Sequence, residues 1–337
     1  MPLLSVRHRT TYRYRQKVAF GEHRIMFRPR DGHDQRLISA EIAIDPEPAD
    51  LRWIHDVFGN CVALARFDRR AETLAFDCRV SLDHQPVNPL DFALDTHAQT
   101  YPFAYDAADM PDLLRCIERQ TPDPDRAVDI WARRFLRRPT PMYTESVLAD
   151  MTLAIRNDFT YQVREDAGVQ DAAATLALGS GTCRDFALLL MEGARTLGLA
   201  ARFVSGYLYN PGGAAGRERV GAGATHAWAQ IFLPGAGWVE FDPTNGIVGT
   251  NRDLIRVAVA RDPRQAVPLS GTWTGFPSDS LGMTVEVEVT ETPEADGPAT
   301  AAGAPPGATP GATPGATPGA TPGTAPSGGA VRVRAAG

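Results

Sequence analysis

The chain has 337 residues, of which 43% are hydrophobic and 22% charged, with a formal net charge of -6 at pH 7. That length can hold two domains with separate cores. The acidic balance argues against a nucleic-acid binder, which would show a basic domain or stripe, and no apolar run is long enough to span a membrane.

The N-terminal MPLLSVRHRTTYRYRQ carries charges where a signal peptide needs an apolar stretch. Cys61, Cys78, Cys116 and Cys183 lie far apart with no CxxC pair, a spacing that suits neither a zinc finger nor a disulfide framework. A cytoplasmic location with free thiols is therefore expected. Residues 1–100 read as an antiparallel β-sandwich or barrel. TTYRYRQ, LISAEIAIDP, CVALARFD and LAFDCRVSLDH alternate apolar and polar residues between turn signals. WIHDVFGN, with Trp53, His55, Asp56 and Asn60, is explained as a Gly-Asn turn. The histidines His8, His23, His33, His55, His84 and His97 are expected at the surface or in turns.

Over 101–265 the period becomes helical. DPDRAVDIWARRFL puts Val128, Trp131, Ala132, Phe135 and Leu136 on one face. TESVLADMTLAIRNDF follows, with Thr144 as expected N-cap, and DAAATLALG runs from Asp171 as cap to Gly179 as terminator. A further helix begins at Cys183, capped by Thr182, with Asp185 in its first turn. ARFVSGYLY, HAWAQIFL and GWVEFDPT then read as strands, so helices precede an antiparallel sheet, an α+β order. Additional strands occupy 266–290, chiefly MTVEVEVT. The Pro/Gly/Ala/Thr-rich tail at 291–337, with its GATP repeats, should be disordered.

Cys61, Cys78 and Cys116 sit inside apolar patterns and are expected to be inert packing. Cys183 differs. At a helix start, unpaired backbone N–H groups and the positive dipole end favour a thiolate, and Gly181 before it would let a substrate approach the backbone. Downstream, His226 and Asp242 are symmetric about Pro234 in a predicted hairpin, so the turn itself sets an imidazole beside a carboxylate. A thiol plus an imidazole oriented by a carboxylate is what nucleophilic acyl transfer requires. A zinc site from the same three residues lacks a fourth ligand, and no cofactor is called for. Trp228 and Trp238 are expected in the core rather than as a substrate platform, with a wall of the site as the alternative for Trp228, which shares the parity of His226. The oxyanion donors would be the Cys183 N–H and a second group, with Tyr161 and Gln162 as candidates. The glycine-rich segment 210–223 is either a lid or a surface insertion.

GSGTCRDFALLLMEGARTLGLAARFVSGY followed by THAWAQIFLPGAGWVEFDPTNG resembles the core of the transglutaminase-like superfamily. TYRY, HRIMFRPRDGHDQ and DVFGN resemble the β-rich domain that precedes this core in a bacterial branch. The resemblance implies a papain-like α+β core with Cys183 as nucleophile, His226 as general base and acid, and Asp242 as orienting carboxylate. It implies a peptide or protein substrate carrying an amide side chain or isopeptide bond, acted on by hydrolysis or transamidation. The alternative is a non-catalytic binding or assembly module that keeps the fold. No nucleic-acid or membrane partner is expected.

Overall fold

The computed structural model describes residues 3–85, 93–136, 141–163, 168–209, 220–221, 223–249 and 253–292. The GATP repeats and most of segment 210–223 lie outside them. β1 (Leu3–Phe20) is followed by β2 (His23–Ile25), β3 (Gln35–Asp45), β4 (Asp50–His55), β5 (Cys61–Arg66) and β6 (Ala71–His84). Alternation in β1 sends Leu4, Val6, His8 and Thr10 inward and leaves Arg7 and Arg9 outside. β6 pairs antiparallel with both β1 and β3, while β5 lies between β2 and β4. Two sheets thus face one another across Leu4, Val6, Ile25, Phe76 and Leu82. Each such fully buried side chain contributes roughly 1.5–3 kcal/mol.

The connection to the second domain contains β7 (Thr100–Tyr101), α1 (Met110–Ile117) and α2 (Ala127–Arg133). α1 carries Met110, Leu113, Leu114 and Ile117 at the i, i+3, i+4, i+7 spacing of a helix, with Leu113 buried. After β8 (Met142–Tyr143) comes α3 (Thr144–Asp158), then β9 (Thr160–Tyr161), α4 (Ala172–Leu178), β10 (Ser180–Gly181) and α5 (Cys183–Thr196). β11 (Ala201–Leu208), β12 (Thr225–Leu233), β13 (Gly237–Asp242), β14 (Ile247–Val248) and β15 (Leu254–Ala260) form an antiparallel sheet of order β14-β13-β12-β11-β15. α5 lies across it, burying Phe186, Leu189 and Leu190. Gly193 is where α5 meets its neighbours most closely, since a Cβ there would stand 2.6 Å from the Trp131 ring and 2.8 Å from Met151. On the same helix the Glu192–Arg195 pair is fully buried at 2.7 Å. Glu192 also accepts from the backbone of Gln120 and Thr121, and Arg195 donates to the carbonyls of Cys116, Ala201 and Arg261. A buried pair so fully hydrogen-bonded survives its desolvation and fixes the α1–α2 connection against α5.

The strands expected at 266–290 return to the first domain. β16 (Leu269–Ser270) extends the sheet of β2, while β17 (Trp273–Thr274) and β18 (Ser280–Thr292) both pair with β1. The two domains also share apolar contacts, because Tyr207, Tyr209, Ile255 and Val257 pack into the sandwich cluster. Polar clasps reinforce this junction. Arg256 donates to Asp34 at 2.8 and 3.0 Å and to Glu240 at 3.0 Å, and the Asn60 amide exchanges two bonds with the backbone of Val259. Asp56 accepts from the N–H groups of Phe58 and Asn60, so WIHDVFGN is a turn and a clasp.

Three histidines depart from expectation. His8, His23 and His84 are buried, because strand alternation turns them to the interior side. Thr144 is also displaced: it is the first helical residue after cap Tyr143, and its hydroxyl donates to the Ala98 carbonyl at 2.6 Å. Asp171 does occupy the cap of α4, but without a side-chain cap bond, while Gly179 ends that helix in the left-handed conformation at φ 61°.

Candidate active site

α5 begins in a capping box. The Thr182 hydroxyl accepts from the Asp185 N–H, and Asp185 accepts from the Thr182 N–H at 2.8 Å. Asp185 takes a further bond from the Gln170 N–H at 2.7 Å, so this buried carboxylate is committed to holding the helix start. β10 pairs parallel with β9, setting Gly181 beside Tyr161. Gly181 has a packing reason to be glycine: a Cβ there would stand 2.9 Å from the Asp185 Cβ and 3.3 Å from the Phe186 ring. That close approach, not substrate access, accounts for the residue. Cys183 emerges as the first residue of α5, 7% exposed.

His226 enters from β12. The hairpin register pairs Leu233 with Gly237 and Ala229 with Phe241, which centres the turn on Gly235, one residue past the expected Pro234. Asp242 therefore falls diagonally across from His226 on the same face. Such diagonal neighbours are within reach of each other's side chains. His226 Nε2 and Asp242 Oδ2 are 2.8 Å apart, both side chains fully buried. Trp228 is a core residue, wholly buried with Val204, Leu208 and Val259, and stacks on the imidazole at 5.9 Å and 28°.

The second ring nitrogen, Nδ1, is buried and makes no directed hydrogen bond. The Cys183 thiol lies against the imidazole, and the backbone of Gly221 faces Nδ1, where a Cβ would come within 3.0 Å. Burial alone would lower the His226 pKa, but the charge and hydrogen bond of Asp242, helped by Cys183, outweigh it and raise the pKa to about 10. Asp242 moves the opposite way. Burial raises it, and His226, Asn245 and the Thr244 N–H together bring it below the usual carboxylate range. The couple is thus held as imidazolium and carboxylate.

Asn245 was not singled out by motif reasoning, yet it ties the site together. Its amide donates to Asp242 Oδ2 at 2.8 Å and to the Val220 carbonyl at 3.3 Å, and its oxygen accepts from the Val220 N–H at 2.9 Å. One side chain therefore orients the carboxylate and pins the segment roofing the imidazole. The only hint in the sequence is its position in DPTNG, right after the carboxylate. Of the two candidate oxyanion donors, Tyr161 has its phenol against Cys183, and burial, followed by the Cys183 charge, pushes its pKa up to about 12. Gln162 is exposed and contributes its backbone N–H to the Gly181 carbonyl at 2.9 Å. All four cysteines are free, with Cys78 buried and Cys61 and Cys116 partly so. Burial raises the pKa of each of these three thiols, to about 12 for Cys78, as suits packing. Among the described residues no group of three His, Cys, Asp or Glu side chains is placed to hold a metal ion.

A β-sandwich joined to an α+β core that gathers a thiol, an imidazole and a carboxylate defines the class. Residues 4–83 match the family model described as the bacterial transglutaminase-like N-terminal region, and residues 130–243 match that of the transglutaminase-like superfamily. The chain belongs to that superfamily, in the arrangement with the bacterial N-terminal region. It is 29% identical over 290 residues to an uncharacterized protein of Mycobacterium tuberculosis, covering 84% of this chain and 91% of that one. An uncharacterized protein of Mycobacterium leprae is 37% identical over 107 residues, 32% of this chain and 37% of its own. The fold is similar to a crystal structure from Cytophaga hutchinsonii provisionally designated a cysteine protease. The TM-score is 0.64 at 19% identity, over 86% of this chain and 91% of that one.

Proposed function

We propose that this protein is a thiol-dependent acyl-transfer enzyme acting on an amide bond of a peptide-like substrate. Cys183 is the nucleophile, His226 the general base and acid, and Asp242 the carboxylate that orients the imidazole. The observation that supports this best is a buried imidazole bonded to Asp242 at 2.8 Å, with the Cys183 thiol against the same ring. A scaffold has no use for a buried imidazole–carboxylate pair set against a thiol.

The Cys183 sulfur, its proton held by His226, attacks the amide carbonyl carbon and the π pair moves to oxygen. The Cys183 N–H, which has no intrahelical acceptor at the first helical position, and the Tyr161 hydroxyl receive that oxyanion. On collapse the C–N bond breaks and the amine departs with the imidazolium proton, leaving a thioester. Water then gives a proton to His226 and its oxygen to the acyl carbon, releasing a carboxylic acid and the thiol. An amine in place of water would yield a new amide. Bulk water prevails unless an amine is positioned and water excluded, so hydrolysis is the primary reading.

Alkylation with iodoacetamide near neutral pH should label Cys183 well ahead of Cys61, Cys78 and Cys116, and His226→Ala should slow it. Incubating a glutamine-containing peptide with and without a primary amine, followed by mass analysis, separates cleavage or deamidation from ligation. Equal labelling of the accessible cysteines, together with no acyl adduct on Cys183 from any peptide pool, would refute the assignment.

A further inference from the structure

A cavity of about 280 Å³ lies where the sandwich meets the core, one residue along the chain from Cys183 and one from His226, between Arg184, Thr225, Phe27, Val267, Met283 and Val285. The sandwich wall belongs to β1 and β18, and β18 is bound to the approach to His226 through the Val287 N–H and the Gly223 carbonyl at 3.1 Å. The first domain therefore supplies one side of a pocket whose other side carries the chain neighbours of Cys183 and His226.

Most polar groups around this cavity are already engaged. His8 has both ring nitrogens bonded, to the Tyr207 hydroxyl at 2.9 Å and to the Thr10 hydroxyl at 3.0 Å. Arg264 is neutralised by Asp262, with bonds of 2.9 and 2.6 Å. Arg184 is the charged group less fully engaged. Its guanidinium donates to the Pro263 carbonyl at 2.8 Å and lies over the Phe203 ring at 4.8 Å, and it has no carboxylate partner among the described residues. A guanidinium carries five N–H donors in a fork that matches a carboxylate. A half-buried cation in an apolar pocket with donors to spare is complementary to an anion attached to an apolar body.

We propose that this interdomain pocket is a substrate subsite and that Arg184 binds a carboxylate on the residue adjoining the reacting amide, as at a peptide's free C-terminal apolar residue. The inference rests on the acyl-transfer reading for what happens at Cys183, but not for the binding itself. Arg184 is a specificity determinant, and the sandwich's strands set how large an apolar side chain is accepted.

The test uses the full chain carrying Cys183→Ala, titrated calorimetrically with N-acetyl-alanyl-leucine and with its C-terminal carboxamide. A charge-assisted pair predicts that the free acid binds about tenfold to hundredfold more tightly. Adding Arg184→Gln should bring the two ligands within about twofold of each other, and Arg184→Lys should keep part of the preference. Thermal melts of each variant verify folding. Val285→Trp should weaken the leucine ligand while sparing the glycine analogue, because the cavity is narrowed and the cation kept. Equal affinity for acid and amide, no binding of either, or a preference that survives Arg184→Gln overturns the proposal. Failure of Cys183 to be acylated in the unsubstituted protein overturns the acyl-transfer reading and leaves this binding result standing.

Discussion

Replacing Asp242 with asparagine removes one charge at nearly constant volume and tests the electrostatics of the site directly. The carboxylate accepts from His226 and Asn245 at 2.8 Å each and from the Thr244 N–H at 2.9 Å. In the variant the remaining oxygen can still take the Thr244 N–H, so the new NH2 group faces two donors and the imidazole must present Nε2 unprotonated. Holding a proton on His226 up to about pH 10 instead of 6.5 corresponds to about 5 kcal/mol between the two protonation states. Loss of one partner from a buried pair typically costs about 3–5 kcal/mol, and that is the expected destabilisation near neutral pH. The pKa is raised in the folded state, so its contribution is fully present below pH 6.5 and disappears as pH rises through about 10. Urea unfolding of the two proteins from pH 6 to 10.5 should therefore show a gap that closes toward the alkaline end. Cys183 alkylation near pH 6 should slow in parallel. A gap that is constant across this range, or alkylation curves that superimpose, would refute the imidazolium–carboxylate account.

Tyr161→Phe should lower the acylation rate by tenfold or more with little effect on KM, measured by single turnover, because an oxyanion donor acts mainly in the transition state. His8, whose pKa burial lowers to about 4, must charge on unfolding in acid. Stability should fall between pH 6.5 and 4 by up to about 3 kcal/mol, and His8→Gln should flatten that slope in denaturant melts. Gly206 pairs in register with His226, and a Cβ there would stand 2.1 Å from the Ile255 carbonyl and 2.6 Å from Trp228. Gly206→Ala should cost about 1–3 kcal/mol or more by overpacking and slow Cys183 alkylation, read by melts and timed labelling.

The residues whose roles follow from local chemistry could be read in the sequence. Thr182 and Asp185 form a capping box because a hydroxyl and a carboxylate three residues apart satisfy each other's backbone donors. His226 and Asp242 share a face because a hairpin has period two, and that parity survives a one-residue error in the turn centre. Features that depend on distant contacts were hidden. Alternation puts His8 on the inner face of β1, but only the fold shows that β11 of the core covers it with Tyr207. Asn245 is an unremarked turn residue until the fold brings Val220 against it.

β18 lies against β1 with Ser5 opposite Thr290 and Thr11 opposite Thr284. In an unfinished chain, then, β1 has one open edge until residues 280–292 have been made. An unpaired edge of that length invites association with other chains, and contacts so distant in sequence form late. Because β18 also anchors the approach to His226 through Gly223, the surroundings of Cys183 are complete only once β18 has paired with β1.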